Sequence, residues 1–150
     1  MTILSMVLIL FFGISAFVIA LLVVIFWILS QRELGGQSAT SMPTSSDHSV
    51  SANFFGQRSA GTWQIRGNGQ LAVASDGLYF QRALPSRIYF VDYRDIMSVE
   101  TPSSFLGKTR FVPLLQINFT NDTRQADAMA WQVGDVDGIK GMIENRIATI

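Results

Sequence analysis

From Ile3 to Leu29 the chain carries no charged side chain; all eleven basic and all eleven acidic residues follow Ser30. Twenty of those 27 residues are Leu, Ile, Val or Phe. As a helix the run would measure roughly 40 Å at about 1.5 Å per residue. A hydrocarbon core needs only about 30 Å. Each aliphatic or Phe residue favours insertion by roughly 0.3–0.6 kcal/mol, which Ser5, Gly13 and Ser15 do not offset. Trp27 lies near the end of the run, where interfacial aromatics gather, and Gln31-Arg32-Glu33 marks the exit. The reading is a single transmembrane helix over residues 1–30, in contact with the bilayer through residues 3–29. A cleaved signal peptide fits poorly, because no Lys or Arg precedes the run and the run is about twice the usual apolar length. Gly13, Ala16 and Ala20 share one helix face and offer a close-packing surface for another membrane helix.

Residues 31–60 change character. Gly35-Gly36, Pro43 and a Ser/Thr run precede any apolar periodicity, and the segment reads as a flexible polar linker. His48, the lone histidine, has no ligand or acid–base partner nearby in sequence. Phe54 and Phe55 are the exception in this polar stretch. They are expected to dock on the soluble domain, the alternatives being the bilayer interface or a partner.

Residues 61–150 read as one small domain. Alternating patterns mark strands at Thr62–Arg66, with Trp63 and Ile65 in phase, and at Gln70–Ser75, Leu78–Arg82, Arg87–Val91, Ile96–Glu100, Arg110–Phe119 and Gln125–Val133. Gly67-Asn68-Gly69 and Asp76-Gly77 read as turns. Asp92–Asp95 turns the chain, and Thr101–Lys108 is a polar loop. The period then changes: Val136, Ile139, Ile143 and Ile147 form a helical stripe, with Asp135 as N-cap and Asp137 at the positive end of the helix dipole. The fold class is a membrane-anchored α+β protein: one transmembrane helix, then a seven-stranded β-barrel or sandwich capped by a C-terminal helix.

Three segments resemble the pleckstrin-homology (PH) superfold, in its GRAM-like and bacterial PH-like forms. Gly69-Gln70-Leu71-Ala72-Val73-Ala74-Ser75-Asp76-Gly77-Leu78-Tyr79-Phe80 is similar to the family's opening hairpin. Arg87–Glu100 resembles its central strand pair. Leu115–Phe119, the Trp131 strand and Asp135–Ile147 resemble its closing strands and helix. The resemblance covers residues 61–148 and implies binding rather than catalysis, in the cytoplasm, with phosphoinositides, other lipids or proteins as ligands. Phosphoinositide-binding members gather several cations between the first two strands. Here Arg66-Gly67-Asn68-Gly69-Gln70 supplies one.

Function follows from what is present. Cysteine is absent, so thiolate chemistry and disulfides are excluded. No nucleophile–base pair, metal set or phosphate loop is legible, and no catalytic residue, metal ligand or cofactor is assigned. Net charge is zero, against the excess a nucleic-acid binder carries. The expectation is a non-enzymatic protein of the cell (plasma or inner) membrane with a cytoplasmic C-terminal domain. Arg32 beside the anchor points weakly the same way. The domain would serve as a protein-interaction module, an accessory or scaffolding subunit with a membrane-protein partner. The alternative is a module for anionic lipid headgroups, drawing on Arg66, Arg82, Arg87, Lys108 and Arg110, the same residues that would meet a protein partner.

Overall fold

The computed structural model describes residues 13–25, 41–43 and 48–150. The chain divides into two compact units, Met1–Leu34 and Gly35–Ile150, each treated by itself. In the first, residues 13–25 form helix α1, which contains Gly13, Ala16 and Ala20 and leaves Ile14, Phe17, Ile19, Leu22 and Val23 exposed. Among the described residues no helix is long and apolar enough to cross a membrane. The rest of the expected anchor, 1–12 and 26–30, lies outside the described residues, as do 31–40 and 44–47 of the expected linker.

The second unit is a seven-stranded antiparallel sheet with one long helix, an α+β arrangement. The strands are β1 (His48–Gln57), β2 (Gly67–Val73), β3 (Gly77–Arg82), β4 (Arg87–Asp92), β5 (Ile96–Glu100), β8 (Leu115–Thr120) and β9 (Ala126–Val133), in the order β4-β3-β2-β1-β9-β8-β5. A separate hairpin, β6 (Ser104–Phe105) with β7 (Lys108–Thr109), interrupts the β5–β8 connection. Helix α2 (Val136–Ile147) ends the domain. Strands β4 and β5 are the sheet's two edges and are not paired with each other, so the sheet does not close into a barrel.

Three expectations are corrected. The polar linker over 31–60 gives way at His48 to β1, the strand that joins the two halves of the sheet. Thr62–Arg66 is not a strand: Trp63 and Ile65 are 94% and 76% exposed, while Gln64 between them is buried. Gly67-Asn68-Gly69 is not a turn but the start of β2. A Cβ on Gly69 would meet the Phe80 ring and the Gln81 carbonyl, so glycine is what lets β2 and β3 close at that point. The β2–β3 turn also shifts by one residue. Ala74 N–H donates to the Gly77 carbonyl at 3.0 Å, placing Ser75-Asp76 at the tip.

Adjacent Phe54 and Phe55 are both fully buried, on opposite faces of the sheet. A bulge makes this possible. Phe54 pairs with Trp131 and Gly56 with Ala130, leaving Phe55 between them without a register partner. Gly56 takes φ 136°, a conformation side-chain-bearing residues rarely adopt. Phe54 then enters the main core, its ring 5.3 Å from Phe80, 5.0 Å from Tyr89 and 5.9 Å from Trp131. Phe55 enters a second cluster on the outer face with Phe105, Leu114, Ala128 and Ala130. Ala128 and Ala130 of β9 thus pack with Phe105 and Leu114 of the 101–114 excursion.

The main core draws on all seven strands and on α2. Leu115, Ile117 and Phe119 alternate inward from β8, and Met129, Trp131 and Val133 from β9. Helix α2 contributes Ile139 and Ile143, with Val136 and Ile147 half-buried at its ends. Its cap is the expected one: the Asp135 carboxylate accepts from Gly138 N–H at 2.9 Å.

Candidate functional site

Strands β1 to β4 form consecutive hairpins, so the β1–β2 and β3–β4 connections lie at one end and the β2–β3 turn at the other. The β1–β2 connection, Arg58–Arg66, begins as a single 3-10 turn. Buried Asp127 pins it, accepting from Ser59 N–H at 2.9 Å, Ser59 Oγ at 2.6 Å and Gln57 Nε2 at 2.6 Å. Gln64 folds inward beneath it. Its Oε1 accepts from Gln57 N–H at 2.8 Å, and its Nε2 donates to the Gln57 and Gly61 carbonyls. Because Gln64 turns in, its neighbours Trp63 and Ile65 turn out.

The β5–β8 excursion, 101–114, is closed at its base by Leu114 N–H donating to the Pro102 carbonyl at 2.8 Å. It folds back until Lys108 Nζ donates to the Gln64 carbonyl at 2.7 Å and the Phe55 carbonyl at 3.4 Å. Burial, then the nearby Arg66 charge, hold the Lys108 pKa below the usual lysine range. Beyond Lys108 the chain carries Arg110, exposed and donating to Gln132 Oε1 at 3.3 Å, and Phe111, 92% exposed with φ 59°. On the other flank, Ala83 N–H donates to the Asn68 carbonyl at 2.9 Å, seating the 83–86 loop and exposed Leu84 against the start of β2.

The five cations singled out from sequence fall into two pairs and a single residue. Arg66 and Lys108 meet around Phe55 and Gln64, with the Arg66 guanidinium 4.4 Å above the Phe55 ring. Arg82 and Arg87 are cross-strand partners. Arg82 is buried, its Nε donating to the Pro85 carbonyl at 3.2 Å, and Arg87 lies 5.0 Å over the Tyr89 ring. Arg110 stands by itself beside a shallow cleft of about 420 Å³, floored by the amide row Asn68, Asn53 and Gln132.

Sequence reasoning missed Arg58, Trp63, Ile65, Leu84 and Phe111 as surface features. A usable signal was present. The segments 58–66, 82–87 and 101–114 hold Arg58, Arg66, Arg82, Arg87, Lys108 and Arg110 and not one Asp or Glu. The connection between the first two strands of the sheet therefore carries two cations, Arg58 and Arg66, rather than one. Asp76, Asp92 and Asp95 belong to the turns at the other end of the β1–β4 hairpins. There Asp92 caps the Tyr93–Asp95 turn, and Arg94, hydrogen-bonded to it, holds its carboxyl below the usual range.

The fold defines an antiparallel seven-stranded α+β domain closed by a C-terminal helix. No family model matches the chain, and no curated protein does. Solved structures do. A chain of the 8S snRNP assembly intermediate superposes with a TM-score of 0.57 at 8% identity, over 75% of this chain and 90% of that one. The C-terminal domain of an unknown protein from Leishmania infantum gives 0.52 at 12% identity, over 69% and 84%. At these identities the likeness is one of fold alone; the seven-stranded antiparallel sheet with its C-terminal helix is itself consistent with a PH-like sandwich.

Proposed function

We propose that this chain is a non-enzymatic, single-pass protein of the cell membrane. Residues 3–29 anchor it, and its PH-like domain is a cytoplasmic binding module that meets an anionic membrane surface. One observation carries the reading: segments 58–66 and 101–114, joined by the Lys108–Gln64 hydrogen bond, and the 82–87 loop seated on the start of β2 hold six cations, of which Arg82 is buried, with five exposed large apolar side chains and no carboxylate. Anionic headgroups attract such a surface at roughly 1 kcal/mol per nearby cation. The cleft beside Arg110 offers amide donors at the scale of a headgroup. The anchor is supported by the uncharged run itself and by α1, whose apolar residues are exposed around the helix. The GRAM-like or bacterial PH-like assignment is supported by the hairpin motif 69–80 and by the sheet order that ends in one helix.

Co-sedimentation of residues 41–150 with vesicles tests this reading. Binding to vesicles containing phosphatidylserine, lost on Arg58→Glu with Arg110→Glu, is the expected result. Equal sedimentation of the charge-reversed domain would overturn it. Lys108 is the wrong residue for this test, because its ammonium is engaged with two carbonyls.

A protein-interaction role as an accessory or scaffolding subunit is the second reading. It is favoured by the groove between edge strand β5 and α2, where Met97 is 56% exposed beside Val99 and Ile147. A chain of similar fold occurs in the 8S snRNP assembly intermediate, which is in keeping with this reading. Migration of the mild-detergent extract as a large complex supports this role; migration alone counts against it.

A further inference from the structure

We propose that Trp63 and Phe111 insert into the bilayer, so that the domain docks by aromatic burial as well as by charge. The proposal rests on the membrane-surface reading above and identifies the residues that enter the lipid. Trp63 and Phe111 are 94% and 92% exposed, more than any other large apolar residue among those described. They flank one structural clip, the Lys108–Gln64 hydrogen bond, with Trp63 next to Gln64 and Phe111 three residues past Lys108. Neither is displayed by a slack loop. Trp63 is turned out because buried Gln64 holds the backbone beside it through its amide. Phe111 is held at φ 59°, in the left-handed region that a bulky side chain disfavours, with its N–H donating to Thr109 Oγ1 at 3.0 Å.

The occupant is a lipid bilayer with anionic headgroups, on grounds of charge and side-chain chemistry. Arg58 and Arg66 share the connection that carries Trp63, Arg110 immediately precedes Phe111, and no carboxylate lies in either segment. Trp is the side chain that partitions into the headgroup layer, and cations beside it stay with the phosphates. Removing either aromatic should weaken docking about tenfold, the effect of losing one buried large apolar side chain.

The test uses the full chain reconstituted in vesicles, with Trp27→Phe to leave Trp63 and buried Trp131 as emitters. Acyl-brominated lipid reads insertion. A dye on Ser86→Cys, in a chain with no other cysteine, reads surface approach by energy transfer to a headgroup-labelled lipid. In phosphatidylserine vesicles the expected result is a blue-shifted, quenched Trp63 signal that disappears in Trp63→Phe and is absent in purely neutral vesicles. Phe111→Trp, in a chain with Trp63→Phe, should be quenched likewise. High energy transfer with unquenched Trp63 would overturn insertion and leave surface binding standing. Low energy transfer on anionic vesicles would overturn both.

Discussion

Lys108 Nζ lies 2.7 Å from the Gln64 carbonyl, and this one hydrogen bond ties the β5–β8 excursion to the β1–β2 connection. A charged donor held by two carbonyls is worth roughly 1–3 kcal/mol. Lys108→Met keeps the stem and removes the donor. It should lower unfolding stability by about 2 kcal/mol and raise amide exchange in 104–112 ahead of the rest of the domain. Urea melts with exchange mass spectrometry measure both.

Asp127 is the second fastening. Its carboxylate serves Ser59 twice and Gln57 once, and it is 1% exposed. Asp127→Ala strands buried donors, each costing about 1–3 kcal/mol. A total near 3 kcal/mol is expected from denaturant midpoints, with Asp127→Asn milder because its amide still accepts.

Gly69 shows where the fold tolerates no side chain. The Cβ of Gly69→Ala would fall 2.7 Å from the Phe80 ring and nearer still to the Gln81 carbonyl. Destabilisation of about 2–3 kcal/mol is expected, as for overpacking. The domain should stay folded with its β2–β3 amides exchanging faster.

Two groups give opposite pH dependence. Burial, then the Asp76 charge, raise the Tyr93 pKa to about 12 from 10.0, and its hydroxyl donates to the Ala74 carbonyl at 2.8 Å. Above pH 10 the unfolded chain loses this proton first, so stability falls as pH rises from 10.0 towards about 12. Lys108 is shifted below 10.5, so between its folded value and 10.5 the unfolded chain holds more protons and stability rises with pH. Tyr79, raised to about 12 by burial and by its hydrogen bond to Asp76, adds to the alkaline fall, so Tyr93→Phe should reduce the fall and Lys108→Met should remove the rise, both read from urea melts taken across this range.

The path of the chain adds a length requirement. Strand β1 begins at His48, at the opposite end from Arg58–Arg66, and its ten residues span roughly 33 Å. The seventeen residues 31–47 reach at most about 60 Å when drawn out. With residues 3–29 anchored as proposed, docking of the domain on the same membrane is within the reach of this stretch. Deleting ten residues from this stretch leaves about 25 Å and should abolish Trp63 quenching in the full chain while leaving co-sedimentation of residues 41–150 intact.

Legibility from sequence followed the strength of the apolar pattern. Leu115, Ile117 and Phe119 alternate without interruption, and Asp135 with Ile139 and Ile143 declares a capped helix; the inward alternation and the helix are found as read, but the strand expected from Arg110 begins only at Leu115. Strand β1 was hidden because its inward residues include small Ala52 and its outward ones are Ser49, Ser51 and Asn53. Of these, Ser49 donates to Gln70 and Asn53 to Asn68 across the sheet. Trp63 and Ile65 imitate a strand's alternation, but the inward residue there is Gln64, stabilised by hydrogen bonds that no hydropathy pattern encodes. The cationic face was half legible. The sequence points to Arg66 and Lys108, but which cations remain available to a ligand depends on carbonyls such as those of Phe55 and Gln64, brought in from elsewhere in the chain.

Hydrogen exchange on the full chain in nanodiscs, neutral against phosphatidylserine-containing, tests the central claim most directly. The account predicts anionic-lipid-dependent protection in 58–66, 83–86 and 108–112, and none at 74–77 or 92–95 at the far end of the hairpins. Protection at the acidic turns, or identical exchange in the two lipids, would contradict it.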